Sequence, residues 1–196
     1  MNKPFAMLLA AAGLALGACS GAPTDEPPLQ GAAIGGPFNL IDQTGRPFDE
    51  ARLQGKYRLV YFGYSYCPDV CPVDLQKLMQ GLRAFERSDP ARAAKLQPIF
   101  VTVDPKRDTP AVLRQYVAAF HPRLIGLTGS DAQIAAAAKR YAVYYKQRPA
   151  DGGVSGYLMD HGRQTMLFGP AGEPIALVAQ EGTAEQIAAE YARWVK

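Results

Sequence analysis

The chain has no run of five or more like charges, and no apolar stretch approaching the about 20 residues that a helix needs to cross a bilayer core. Its 21 Lys and Arg are interspersed with 18 Asp and Glu, so the formal charge of +3 collects on no basic face and nucleic acid is not an expected partner. No internal repeat is visible. Three cysteines and two histidines confine thiol and imidazole chemistry to a few positions. What is present is an ordinary globular composition, 48% hydrophobic and 20% charged, over 196 residues, enough for one well-buried domain but not for two plus a leader.

The first residues differ from the rest. Lys3 provides a positive start, and Phe5 to Ala18 is apolar and uncharged, which predicts an export signal over residues 1–18. Leu16-Gly17-Ala18-Cys19 resembles the lipobox of bacterial lipoproteins, in which the cysteine is acylated and becomes the new N-terminus. That resemblance implies a lipid anchor at Cys19 and attachment on the periplasmic side of a bacterial membrane. Residues 19–33, rich in Pro, Gly, Ala and Ser, read as a flexible tether. Residues 34–196 form the expected domain.

Within that domain the expected elements alternate. A turn at Gln43-Thr44-Gly45 suggests an N-terminal hairpin over Phe38 to Phe48. Tyr57 to Tyr64 and Leu96 to Val103 read as core strands, with a helix between them marked by Leu75, Leu78, Met79, Leu82 and Phe85. Asp108-Thr109-Pro110 announces a further helix, and another is expected over Asp131 to Tyr141. Gln147 to Gly156 reads as a surface loop, Thr165–Phe168 and Pro174–Ala179 as a hairpin, and Ile187 to Val195 as a closing helix. The alternation implies an α/β sandwich with a mixed central sheet flanked by helices.

Ser65-Tyr66-Cys67-Pro68-Asp69-Val70-Cys71-Pro72 stands at the junction of a core strand and an amphipathic helix. On the first helical turn, residues four apart would share a face, and free N–H groups would lower at least one thiol pKa. Such a pair can hold a soft ion, above all Cu(I), or can form and exchange a disulfide, and spacing alone leaves both open. His161, in Tyr157-Leu158-Met159-Asp160-His161, would join the pair only if the fold brought it over the cysteines. Two thiolates and one imidazole suit copper better than structural zinc, which usually takes four protein ligands. His121 reads as a solvated helix-terminal residue, and Met79, Met159 and Met166 as core filler. Asp69 and Asp160 are candidates for tuning the thiols or orienting the imidazole.

Together CPDVCP at 67–72, VDPKRDTP at 103–110, LIGLTG at 124–129, and DH at 160–161 followed by GP at 169–170 resemble the Sco/SenC family of copper-binding assembly factors for cytochrome c oxidase. The resemblance covers about residues 34–195. It implies a thioredoxin-like fold with an added N-terminal hairpin, and one copper ion, Cu(I) or Cu(II), held by Cys67, Cys71 and His161. It further implies delivery of that copper to the dinuclear centre of oxidase subunit II, or reduction of the cysteines that hold the centre, with other periplasmic copper chaperones or thiol reductants as further partners. A copper sensor or resistance factor would use the same site. Gly162 departs from the Ser or Thr usual after the histidine, and Met166 stands near where an aromatic is expected.

Overall fold

The computed structural model describes residues 26–149 and 156–196. The leader and Cys19 lie outside the described residues. Among those described, no helix is long and apolar enough to cross a membrane.

The chain runs β1 (Asn39–Asp42), β2 (Pro47–Asp49), a 3-10 turn at Glu50–Leu53, β3 (Tyr57–Gly63), α1 (Val70–Ser88), the one-turn α2 (Pro90–Ala93), β4 (Leu96–Thr102), α3 (Pro110–Ala118), β5 (Ile125–Thr128) and α4 (Asp131–Arg140). It continues with β6 (Tyr145–Pro149), β7 (Tyr157–His161), β8 (Thr165–Phe168), β9 (Pro174–Val178) and α5 (Ala184–Trp194). Seven strands form one mixed sheet in the order β2-β1-β5-β4-β3-β8-β9. β3, β4 and β5 are parallel, and β1, β8 and β9 join antiparallel. β1 and β2 pair antiparallel at one edge. This is the thioredoxin-like arrangement, a mixed sheet with helices on both faces.

Every residue of β3, an interior strand, is buried, as a strand covered on both faces requires. Tyr61 and Phe100 face α1 and α3, with Phe100 against Tyr116 of α3, and α5 packs on α1. On the opposite face Tyr141, at the end of α4, packs on Phe62 and Phe168. The helix starts are written locally: Thr109 caps α3 ahead of Pro110, and Ser130–Gln133 and Thr183–Gln186 form capping boxes on α4 and α5.

Three expectations need correction. Residues 147–149, expected within a loop, belong to β6, which pairs with β7 in a two-stranded arm separate from the main sheet. The pattern of YKQRP is mostly polar on both faces, so no apolar alternation betrays it. The segment expected as a tether touches the domain at Leu29, whose N–H donates to the Ile175 carbonyl on edge strand β9. His121 is buried, not solvated; Nδ1 accepts from the Arg123 N–H and Nε2 meets Glu86 at 3.2 Å.

Candidate metal centre

β3 delivers the chain to the face where the cysteines lie, and a turn closed by the Cys67 N–H on the Tyr64 carbonyl leads into α1. Cys71 is the second residue of α1, whereas Cys67 precedes the helix, so the two do not share a helical face as first-turn neighbours would. They meet because the turn folds back: the Cys71 N–H points at the Cys67 sulfur, 3.5 Å away. Pro72 is tolerated in the first turn because its missing N–H would have no partner within the helix. Gly63 permits the close approach, since a side chain there would stand 3.1 Å from the Cys71 sulfur and 3.0 Å from the Phe100 ring.

β7 brings in the histidine. His161 Nε2 lies 3.2 Å from Cys71 Sγ, and the donor atoms of Cys67, Cys71 and His161 all lie within 4.8 Å of one another. Nδ1 lies 2.8 Å from the Gly162 carbonyl, which can only accept, so Nδ1 carries the proton and the Nε2 lone pair faces the sulfurs. The rings of Tyr61 and Tyr64 meet the imidazole edge-on. Both cysteines are free; Cys67 is half-buried and Cys71 fully buried. A cleft of about 360 Å³ opens beside them, lined by Tyr64, Cys67, Met159 and His161, with Arg148 and Arg163 at its rim.

The two thiols are driven apart. The hydrogen bond from Cys71, with help from the N–H groups of Cys71 and Asp69, holds the Cys67 thiol well below the ordinary range despite burial. The charge that settles on Cys67 and the burial of Cys71 push the Cys71 thiol well above it. Cys67 is therefore the thiolate at neutral pH and Cys71 keeps its proton. A thiolate, a second sulfur and an imidazole nitrogen converging on one point fit a soft ion such as copper, which would displace the Cys71 proton.

Asp160, expected to orient the imidazole, pairs outward with Arg148 at 2.7 Å, and the Gly162 carbonyl takes that role. Asp69 sits at the N-cap of α1 without a side-chain cap hydrogen bond and lines the cleft. Met79, Met159 and Met166 are buried in the core.

Several supporting residues were not singled out from sequence. Asp108, fully buried, accepts from the Ser65 N–H at 3.0 Å, from the Ser65 hydroxyl and from Thr102 Oγ1 at 2.6 Å, so it pins the cysteine loop; burial raises its pKa. Asp104 accepts from the Tyr157 hydroxyl at 2.9 Å and pairs with Arg107. Arg107 stacks over the rings of Tyr157 and Tyr66, 3.8 and 4.9 Å from their centroids, and donates to the Tyr157 carbonyl. The segment VDPKRDTP thus ties the cysteine loop to the strand that carries His161. The sequence marked this segment as one of those that carry the family resemblance and as a helix start, but gave its acidic and basic residues no role at the site.

Residues 26–196 match the family model described as SCO1/SenC. The chain is 43% identical over 141 residues to "Protein SCO2, mitochondrial" of Saccharomyces cerevisiae, covering 72% of this chain and 46% of the yeast protein, so it spans about half that relative's length. Among solved structures, Bradyrhizobium japonicum ScoI with copper bound is 41% identical, with a TM-score of 0.74 over 83% of this chain and 99% of that one. Yeast Sco1 with copper bound is 37% identical, with a TM-score of 0.74 over 83% of this chain and 88% of that one.

Proposed function

The chain belongs to the SCO1/SenC family, and we propose that it is a copper metallochaperone that binds one copper ion through Cys67, Cys71 and His161. The observation that carries this reading is the convergence of those three donor atoms within 4.8 Å, in a fold like that of copper-bound relatives. The recipient is the dinuclear copper centre of cytochrome c oxidase subunit II, as the family resemblance implies. Three protein ligands leave coordination room for a donor from the recipient, so the ion can pass by ligand exchange. The leader over residues 1–18 and acylation at Cys19 would place the domain on the periplasmic side of a bacterial membrane.

A second activity is favoured by the unequal thiols. The half-buried Cys67 thiolate can attack a disulfide of the recipient, releasing one of its sulfurs as thiolate and forming a mixed disulfide. Cys71 then loses its proton and attacks the Cys67 sulfur, releasing the second recipient sulfur. The recipient gains two electrons and this protein is left as the Cys67–Cys71 disulfide, to be reduced again by a periplasmic thiol reductant.

Competition with a Cu(I) chelator tests the reading, using the purified full chain with reduced thiols and Cys19→Ser so that only the pair contributes sulfur. One equivalent bound, lost in Cys67→Ala and clearly weakened in His161→Ala, is the expected result. Weak binding indifferent to His161, together with rapid disulfide exchange, would make reduction the primary activity.

A further inference from the structure

We propose that Arg163 is a positioning residue for the metal-binding imidazole, its ion pair with buried Asp74 locking the end of β7 onto the helix that carries Cys71. The inference rests on the copper reading above and deepens it. The need for such a lock follows from the topology. His161 ends β7, and among the described residues β7 pairs only with β6, in a sheet that is not continuous with the sheet leading to the cysteines. No ladder of backbone hydrogen bonds therefore fixes the imidazole relative to the sulfurs, and discrete side-chain contacts must do so.

At the start of β7 that task falls to Tyr157, held by Asp104 and Arg107. At its end it falls to Arg163, separated from the histidine by Gly162 alone. Arg163 Nε and Nη2 donate to the two carboxylate oxygens of Asp74 at 3.1 and 2.7 Å, a two-pronged pairing that fixes orientation as well as distance. Asp74 lies three residues after Cys71 on α1 and is buried, so its position is tied to that of the sulfur. It also accepts from the Tyr61 hydroxyl at 3.0 Å, and the Tyr61 ring packs edge-on against the His161 ring. Asp74 thus reaches the histidine by two routes, through the main chain from Arg163 and through the ring of Tyr61. The Arg163 carbonyl is itself held by Gln180 Nε2 at 2.6 Å, which steadies the chain on its other side.

Arg163→Met keeps the apolar stem and removes the fork, Arg163→Lys restores charge without the fork, and each is compared alone and in a His161→Ala background. In the copper-free reduced full chain carrying Cys19→Ser, the His161 ring resonances should be single and narrow in the parent, and broadened or split in Arg163→Met. Cu(I) affinity should fall by about ten- to a hundredfold in Arg163→Met, as for loss of a residue that orients a metal ligand. Arg163→Lys should fall between, and Arg163→Met should cost almost nothing once His161 is already Ala. Unaltered ring resonances would overturn the proposal, as would an equal loss of affinity in the His161→Ala background, which would mean that Arg163 acts through Cys71. Should the parent fail to bind Cu(I), the copper reading falls, and the ring resonances alone decide whether Arg163 positions the imidazole. A melting temperature measured on each variant identifies general loosening, which would broaden resonances throughout the chain and would also overturn the proposal.

Discussion

The Nε2 of His161 rests 3.2 Å from the Sγ of Cys71, two atoms separated by 90 residues of chain. This contact joins a strand of the β6–β7 arm to the first turn of α1 and makes a three-donor centre of what is otherwise a cysteine pair. It also bears on how protons move when a metal enters.

Copper binding should release about one proton near neutral pH. Cys67 is already a thiolate, while Cys71, pushed up by its neighbour and by burial, must give up its proton to become a ligand. Affinity should therefore rise about tenfold per pH unit through the neutral range and fall as pH falls. Chelator competition at several pH values measures the slope, and a flat profile would show that both sulfurs are ionised beforehand.

Asp108→Ala should destabilise the protein by about 3 kcal/mol, because it strands the donors of half-buried Ser65 and buried Thr102, and hydrogen bonds to a charged group are each worth about 1.5–3 kcal/mol. Asp108→Asn, which keeps an acceptor, should cost less. Urea unfolding compares the two, and equal losses would show that charge matters more than the hydrogen bonds.

Stability should decline on the acid side in part through His121. Burial holds its pKa below the ordinary 6.5, so the unfolded chain takes up the proton first as pH falls. The contribution is fully present above 6.5 and is lost as pH drops from there through the lower folded value. Denaturation of His121→Gln between about pH 7 and 5 should show a shallower decline than the parent; an unchanged slope would place the acid sensitivity elsewhere.

Gly81→Ala should lower the melting temperature although alanine favours helix. The added Cβ would come within 2.3 Å of a methyl and 2.7 Å of the Cβ of Ile187, at the contact between α1 and α5. Neither is the free end of a flexible chain, so overpacking, about 1–3 kcal/mol, outweighs the propensity gain of about 1 kcal/mol or less. In an Ile187→Ala background, where the methyl at 2.3 Å is gone, Gly81→Ala should cost less.

The order of strands and helices in the domain core was legible in the sequence because its signals are local: the apolar run of β3, the periodicity of α1, and the Thr109-Pro110 start of α3. The arm was not legible, since β6 is exposed and carries no apolar alternation and Tyr157–His161 stood out only as the segment that carries the histidine. The cysteine pair announced itself by its place between strand and helix. His161 did not, and only the resemblance to a family brought it to the site before the structure placed it there.

By itself, then, the sequence determined which residues could do chemistry, because residue type and short spacings are properties of the chain. The tertiary structure decided which of them meet and in what state. Cys67 holds the charge and Cys71 the proton because one is half-exposed among donors and the other is buried. Gly162, not Asp160, sets the imidazole tautomer, and Arg163 finds Asp74 across 89 residues. Burial and long-range pairing exist only once the chain has folded, and both the pKa of a thiol and the direction of a lone pair depend on them.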